Sequence, residues 1–379
     1  TRLCSSAASD VYKRQLNANC NNTHYDLIKE IHSTWQQWAD SSNLVHITYN
    51  GHKFDEELLR RQFYWYLLDP YLTNTNNNGR ADMYVLFQLL ANFYSDEIRT
   101  GKNENGDLSL KLSDLAEANG ISSEGAHDAL EDCILMVELG KIIKDKAPEA
   151  WKIFIQGSSK KGNLDILRSE KFCLMGEVVR RNKYVYPIYP CGQNKSNQNQ
   201  IIVCDLYFNP EELFNLKDHE LLEQLGTQGG AFKLVSINKS MPIVPLHTVS
   251  RPSSYLDLSI KELTRRALLI KENFEFSERL SELLLKKQKS YPPPKYVDQA
   301  IYERFPSDSD RLWMEKFHIS TWQDKAKLKE GFEDSRYREL ASRIIALEKP
   351  DLLSEEENED FSQFIKERLF SKGPWLNLS

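Results

Sequence analysis

The sequence predicts a soluble chain with three regions: an α/β layer, a small β-rich domain with inserted helices, and an all-α C-terminal domain. Strand-like and helical hydrophobic patterns alternate as far as about residue 147. Between 171 and 237 the pattern is mostly strand-like and turn-rich, and beyond 296 it is helical. A length of 379 residues allows about two to three domains.

Composition and charge exclude several classes of protein. The 49 Lys and Arg residues are outnumbered by 55 Asp and Glu, giving a net charge of -6, so a globally basic nucleic-acid binder is excluded while a local basic groove is not. A hydrophobic content of 40% excludes a disordered chain. No apolar run approaches the ~20 residues of a membrane helix, so we expect no membrane partner. Six cysteines without a CxxC pair favour a reducing compartment and no zinc site.

The α/β layer is predicted from its hydrophobic spacing. Residues 1–15 show neither helical nor strand periodicity and are interpreted as a doubtful, non-native tail. A strand is predicted over 44–49, followed by the turn signal Asn50-Gly51. The predicted helices share an apolar stripe at helical spacing and span 25–38, 55–68, 82–94 and 123–144.

The later regions are predicted in the same way. Strands are expected over 171–190, 201–206 and 232–237, and helices over 210–225 and 259–287. A Pro-rich segment, 290–295, predicts a stiff linker. The remainder, 296–379, is predicted to be helical.

Three residues form the strongest candidate for a catalytic constellation. Asp55 follows the predicted strand, whereas His127 and Asp132 lie within GAHDALED. Magnesium prefers hard oxygen ligands, so carboxylates from separate elements must converge on one point. A histidine that titrates near neutral pH suits a general base beside them.

Helical geometry sets a condition on this site. His127 and Asp132 are five residues apart, which is roughly 140° around an α-helix. They can share a metal centre only if His127 lies in a loop or first turn, and the glycines of 120–125 make this reasonable. Structural alternatives remain open: Asp55 as a helix N-cap, Asp132 as a solvated helix residue, and His127 as an ordinary histidine.

Several sequence strings resemble one enzyme family. TYNGHKFDEE, LLDPYL, ANGISS and GAHDALED are similar to the bacterial exodeoxyribonuclease I family of DEDDh exonucleases, which have an RNase H-like fold. The resemblance continues through GEVVRRN, YPIYP, IIVCDL, FKLVSINKS and VDQAIYERFPSDSDR, and so covers about residues 20–379. It implies an exonuclease domain over 16–147, a β-barrel (Src-homology-like) domain over 148–289 and a helical C-terminal domain over 296–379.

The resemblance also implies an activity and its residues. The family removes 5′-mononucleotides from the 3′ end of single-stranded DNA in repair and recombination. Asp55 and Asp132 would be metal ligands for two Mg²⁺ ions, and His127 would be the general base. Lys111 would contact substrate in place of the family's arginine, without its bidentate fork.

Further positions concern the path of the single strand. By resemblance, Arg60 would contact a phosphate and Tyr71 would stack on a base. Thr75 and Gln88 stand at two other family positions that contact DNA, so we expect the path of the strand to differ there.

One family motif has no counterpart. The Asp-x-Glu of the opening strand is absent before Asp55, since Asp10 lies in the doubtful tail and Asp26, Glu30 and Asp40 belong to or flank a predicted helix. The resemblance therefore implies that the chain begins inside an incomplete nuclease domain. We expect the parent protein to be active and this chain to lack activity.

Arg251 and Lys271 fall where the family binds the acidic C-terminal tail of single-stranded-DNA-binding protein. A solvated helix face is the structural alternative. The resemblance further implies a cytoplasmic monomer. Two other functions remain open: another DEDDh exonuclease, RNA-directed or proofreading, and a non-catalytic single-stranded-DNA-binding repair scaffold.

Overall fold

The protein is described by a computed structural model over residues 23–40, 43–122, 129–168, 171–288 and 292–373. The helices in these ranges are α1 His24–Ala39, α2 Asp55–Trp65, α3 Met83–Phe93, α4 Leu112–Ala118, α5 Ala129–Lys146, α6 Pro148–Gln156, α7 Lys160–Arg168, α8 Pro210–Phe214, α9 Asp218–Gln224, α10 Ile260–Glu272, α11 Phe274–Lys287, α12 Asp308–Ile319, α13 Trp322–Leu328, α14 Ser335–Glu348 and α15 Glu355–Phe370. The strands are β1 Val45–Thr48, β2 Gly79–Asp82, β3 Gly101–Lys102, β4 Leu108–Ser109, β5 Cys173–Val179, β6 Asn182–Gln193, β7 Gln200–Asp205, β8 Phe232–Ser236 and β9 Ile243–Pro245.

These elements form two compact units. Among the described residues, the first unit contains 43–54 and 76–288, and the second contains 23–40, 55–75 and 292–373. Each unit has its own hydrophobic core. The predicted nuclease region therefore contributes residues to both units.

The first unit contains a parallel strand pair and an antiparallel sheet. β1 pairs with β2 in parallel, with Thr48 opposite Asp82. The larger sheet has the strand order β8-β7-β6-β5-β9, and all its pairs are antiparallel. Its core joins α3 to the sheet through fully buried side chains such as Phe87, Leu174 and Val203. This arrangement confirms the predicted α/β layer and small β-rich domain.

The second unit is helical throughout its described residues. Tyr25 and Ile28 of α1, Phe63 and Tyr64 of α2, and the C-terminal Phe317 belong to one core. Thr23 and Asp26 form a capping box at the start of α1, in which the Asp26 carboxylate accepts from the Thr23 backbone N–H. Asp26 is thus a structural capping residue. The prediction of an all-α C-terminal domain is confirmed.

Three elements that the sequence predicts as continuous are each divided into two in the structure. The strand predicted over 171–190 is a hairpin, since Arg180 and Arg181 have φ of 49° and 69° and connect β5 to β6. A two-residue loop with two positive φ angles matches the twist of paired strands, and it is usually built from Asn and Gly. The helix predicted over 259–287 ends at Glu272, and the Asn273 side chain caps the next helix by accepting from Phe276 N–H at 3.0 Å.

The helix predicted over 210–225 is also two helices, α8 and α9. The break falls at 215–217, where Lys217 has an extended backbone and its N–H donates to the Glu220 carboxylate at 2.7 Å. The side chain of Asn215 meanwhile donates to the Glu211 carbonyl at 2.8 Å. These local bonds satisfy the polar groups at the break and stop the first helix.

Candidate active site

The approach to Asp55 is a tight segment after β1. Asn50 has a left-handed backbone with φ 56°, and residues Gly51–Lys53 form one turn of 3-10 helix. A side chain on Gly51 would collide with Thr48, because its Cβ would lie 2.5 Å from the Thr48 Cβ. The sequence Asn-Gly therefore meets two local requirements, a left-handed residue and a close backbone approach.

Asp55 is the first residue of α2 and is exposed. Glu56 and Glu57 follow it in the first turn. Negative charge is favourable there, because the unpaired backbone N–H groups at a helix N-terminus carry partial positive charge. Asp132 is the fourth residue of α5 and is half-buried. Asp55 belongs to the second unit and Asp132 to the first. His127 lies outside the described residues.

The donor set for a metal is incomplete in this part of the chain. Over residues 23–40, 43–122, 129–168, 171–288 and 292–373, no three His, Cys, Asp or Glu side chains are grouped so that they could hold an ion. Asp55 and Asp132 supply two carboxylates, which are the hard oxygen ligands that Mg²⁺ prefers. The described residues therefore do not by themselves form a metal site, and the roles of Asp55 and Asp132 as metal ligands stay predictions.

Lys111 lies immediately before α4 and is exposed. The hydroxyl of Tyr49, the residue after β1, donates to the Leu110 carbonyl, and Lys111 N–H donates to Ser109 Oγ at 3.3 Å. Burial raises the pKa of Tyr49 well above its usual range, so its hydroxyl remains a donor. These bonds fix the backbone from which the Lys111 ammonium extends.

Arg60 and Tyr71 lie together within the second unit. The Arg60 guanidinium carbon is 5.5 Å from the centre of the Tyr71 ring, and the Tyr71 ring meets Phe305 edge-on with a 5.5 Å centroid distance. Tyr302 accepts from Arg60 at 3.5 Å and donates to Glu57 at 2.5 Å. We call Arg60, Tyr71, Tyr302 and Phe305 the aromatic cluster. Phe305 is 69% exposed, so its ring is open to solvent.

The side chains of Thr75 and Gln88 both make hydrogen bonds within the fold. Thr75 Oγ1 donates to the Leu72 carbonyl at 2.8 Å. Gln88 Oε1 accepts from Val178 N–H at 3.1 Å and so links α3 to β5. The different DNA path expected at these two positions stays a prediction.

Arg251 and Lys271 are both exposed in the first unit. Arg251 has a left-handed backbone with φ 54°, and its carbonyl accepts from Ser254 N–H at 2.9 Å. Lys271 lies in the last turn of α10. The neighbouring Arg266, by contrast, stabilises the fold, since it donates to the carbonyls of Leu206 and Tyr207 at 2.9 and 2.8 Å.

Sequence reasoning did not identify Tyr302, Phe305 or Asp82. Tyr302 and Phe305 stand in IYERFPSD, where two aromatic residues precede a proline in a polar segment. That composition signals exposed rings, but it does not show which residue they meet. Asp82 sits between a strand and a helix and has only the sequence signal of an N-cap.

Among the described residues, no helix combines the length and the apolar character that spanning a bilayer requires.

Two family models match the chain. The model of the exonuclease I SH3-like domain matches residues 174–285, and that of the exonuclease I C-terminal domain matches residues 295–379. The two matches together cover just over half of the chain.

Curated relatives match over most of the chain. Exodeoxyribonuclease I of Buchnera aphidicola subsp. Schizaphis graminum is 28% identical over 364 residues, which are 92% of this chain and 73% of that protein. Exodeoxyribonuclease I of Escherichia coli K12 is 24% identical over 310 residues, covering 77% of this chain and 64% of the relative.

Solved structures share the fold. Exonuclease I from Methylocaldum szegediense superposes with a TM-score of 0.80 at 24% identity, covering 95% of this chain and 77% of the other. E. coli exonuclease I in complex with a dA16 oligonucleotide gives a TM-score of 0.77 at 22% identity, covering 90% and 75%. An α/β layer followed by an SH3-like domain and a helical domain defines a class of multidomain exonucleases. This chain belongs to the exodeoxyribonuclease I family.

Proposed function

We propose that this protein is a DNA exonuclease that removes 5′-mononucleotides from the 3′ end of single-stranded DNA in repair and recombination. Membership of the exodeoxyribonuclease I family supports a DNA exonuclease. Solved relatives were determined with dA16 and 5cy-dT13 oligonucleotides, which supports a single-stranded substrate.

The aromatic cluster is the observation that carries the proposal for the substrate. Single-stranded DNA presents unpaired bases that stack on aromatic rings and phosphates that attract cations. Arg60 and Tyr71 offer both kinds of contact within one small surface. Phe305 extends the apolar part of that surface and is open to solvent. A double-stranded substrate would offer no free base faces to these rings.

The proposed chemistry uses three residues of the chain. Asp55 and Asp132 would hold Mg²⁺ through their carboxylates, and the imidazole of His127 would accept a proton from the attacking water. Two bound Mg²⁺ ions would supply charge stabilisation for the attacking and leaving oxygens. Lys111 would hold a phosphate by charge alone, since an ammonium lacks the planar fork of arginine.

We propose that Arg251 and Lys271 bind the acidic C-terminal tail of single-stranded-DNA-binding protein. A solved relative is described as SSB/exonuclease I in complex with an inhibitor, which supports a partner of this kind for the family. Both cations are exposed, so an acidic peptide could reach them without unfolding any element.

The polarity of digestion tests the proposed substrate and reaction. The 379-residue chain and a version extended by its upstream reading frame are incubated with Mg²⁺ and single-stranded DNA labelled at the 3′ or the 5′ end. From the extended version we expect labelled mononucleotide to appear at once from the 3′ label and only late from the 5′ label, with duplex DNA resistant. Immediate release from the 5′ label would overturn the proposed polarity.

A non-catalytic DNA-binding role is the second candidate. The aromatic cluster is compatible with it as well, because contacts of a single strand with Arg60 and Tyr71 need no metal ligand. Single-stranded DNA bound tightly by both versions, with no Mg²⁺-dependent release from either, would support this role and exclude the exonuclease.

A further inference from the structure

A buried carboxylate holds the segment that leads to Asp55. Asp82 is the last residue of β2 and is 2% exposed. Its Oδ1 accepts from Asn50 N–H at 2.6 Å, and its Oδ2 lies 3.4 Å from His52 N. Two backbone donors, one just before the 3-10 turn and one within it, therefore converge on one carboxylate. A charged acceptor makes such bonds stronger than a neutral one would.

The same carboxylate also caps the helix after it. Asp82 Oδ1 accepts from Tyr84 N–H at 3.0 Å at the start of α3. Capping alone needs one oxygen and the N–H groups of the first helical turn. The bonds to Asn50 and His52 go to a different segment, thirty or more residues earlier in the chain. Asp82 thus does more than cap α3.

A loop of the SH3-like domain completes the arrangement. The backbone N–H of Asp82 donates to Ser240 Oγ at 2.9 Å, and Ser240 N–H donates to His52 Nε2 at 3.2 Å. Asn163 anchors this loop by donating to the carbonyls of Ile237 and Lys239, both at 2.9 Å. His52 is consequently tied to Asp82 through its backbone and to Ser240 through its ring.

We propose that Asp82 is a positioning residue for the nuclease reaction, because it fixes residues Asn50 to His52 and thereby the point at which Asp55 leaves the turn. The inference rests on the proposed function, in which Asp55 is a metal ligand. Asp55 is three residues after His52, so a shift of the turn moves the start of α2 and its carboxylate. Small displacements of ligands are costly to catalysis. Ser240 serves the same purpose from the SH3-like domain.

The test compares Asp82→Asn with Ser259→Ala. Asparagine keeps the shape of the side chain, but its amide nitrogen cannot accept the His52 N–H in place of Oδ2, and its neutral oxygen accepts more weakly from Asn50 N–H than a carboxylate does. Ser259→Ala removes another N-cap of the same unit, the acceptor for Glu262 N–H at 3.2 Å, and controls for a general loss of capping. Hydrogen exchange of residues 49–58 is followed by mass spectrometry, together with Mg²⁺-dependent cleavage of single-stranded DNA by the upstream-extended protein.

We expect Asp82→Asn to speed exchange of residues 50–54 about tenfold or more, with unchanged protection of α10 and α11. Cleavage at saturating DNA should fall about tenfold while the half-saturating DNA concentration stays the same. The Mg²⁺ concentration for half-maximal cleavage should rise several-fold. Ser259→Ala should leave the exchange of residues 50–54, the cleavage rate and the Mg²⁺ requirement unchanged.

Two results would overturn the inference. If faster exchange is confined to α3, Asp82 is only a helix cap. If residues 50–54 open in Asp82→Asn but the rate and the Mg²⁺ requirement stay at wild-type values, the turn does not position Asp55. Failure of the proposed function looks different, because the wild-type extended protein would then not cleave DNA at all.

Discussion

The guanidinium of Arg60 lies over the ring of Tyr71, with 5.5 Å between the guanidinium carbon and the ring centre. Arg60 is further held by Glu57, whose Oε2 is 3.7 Å from its terminal nitrogen. This contact places a cation and a stacking ring side by side in the second unit. It is the physical basis for the proposed binding of a single strand.

Removal of the Tyr71 ring is expected to weaken binding. Tyr71→Ala should raise the dissociation constant for a fluorescent dT oligonucleotide about tenfold or more, because stacking of a base on an aromatic side chain contributes about 1–3 kcal/mol. Tyr71→Phe keeps the ring and should bind as wild type. Equal binding by Tyr71→Ala and wild type in fluorescence anisotropy would show that Tyr71 does not contact the DNA.

The charge of Arg60 is expected to contribute to the salt dependence of DNA binding. Arg60→Gln should reduce the slope of log affinity against log salt by about one, since one phosphate contact is lost. Lys316→Ala is the matched control, because Lys316 is an exposed cation 4.6 Å from the Trp313 ring in the same unit. An unchanged slope for Arg60→Gln would mean that Arg60 has only a structural role.

Lys111 offers a prediction in which a substitution improves binding. Lys111→Arg should tighten binding of single-stranded DNA by several-fold, because a guanidinium can hold a phosphate with two parallel hydrogen bonds. Lys111→Ala should weaken binding by a similar factor, and Lys102→Ala, at another exposed lysine of the unit, should have no effect. If Lys111→Ala binds normally, its side chain does not contact the substrate.

A buried histidine links the stability of the helical unit to pH. His318 Nε2 lies 3.0 Å from the Leu67 carbonyl, and Nδ1 lies 2.9 Å from the Tyr25 hydroxyl. Because a carbonyl can only accept, Nε2 donates to Leu67, and in the neutral ring Nδ1 then accepts from the Tyr25 hydroxyl. Burial lowers the pKa of His318 to about 4, helped by the nearby charges of Lys29 and Lys325.

The direction of the pH effect follows from this pKa. The unfolded chain binds a proton at His318 near pH 6.5, whereas the folded chain binds it only near pH 4. Stability is therefore full above pH 6.5 and declines as the pH falls toward 4. We expect a loss of about 2 kcal/mol in the free energy of unfolding between pH 7 and pH 5. Urea titrations check this, and His318→Gln should reduce the loss; an equal loss in this variant would contradict the account.

The sequence predicted the elements whose signal is local. The helix expected over 25–38 is His24–Ala39, and the strand expected over 44–49 is Val45–Thr48. Both have regular apolar spacing, and Thr23 provides an N-cap. The hairpin at Arg180 and Arg181 could not be predicted, because the strand pairing imposes positive φ on two residues that do not favour it.

The sequence allowed the candidate metal-binding carboxylates to be predicted, but not the side chains and backbone groups that other site residues contact. Asp55 and Asp132 stand in recognisable strings, and their roles stay predictions. The partners of Arg60 could not be found, since Tyr302 is 242 residues away and the contact depends on packing of the helical unit. The three acceptor bonds of Asp82 likewise join segments that only the fold brings together.

The most direct test of the central claim is Mg²⁺-dependent release of mononucleotide from 3′-labelled single-stranded DNA by Asp132→Asn. The upstream-extended protein is used, with Asp145→Asn as control at an exposed acid near the end of the same helix. We predict that Asp132→Asn and His127→Ala reduce release at least a hundredfold while Asp145→Asn remains as active as wild type. Full activity in Asp132→Asn would contradict the assignment of this carboxylate as a metal ligand.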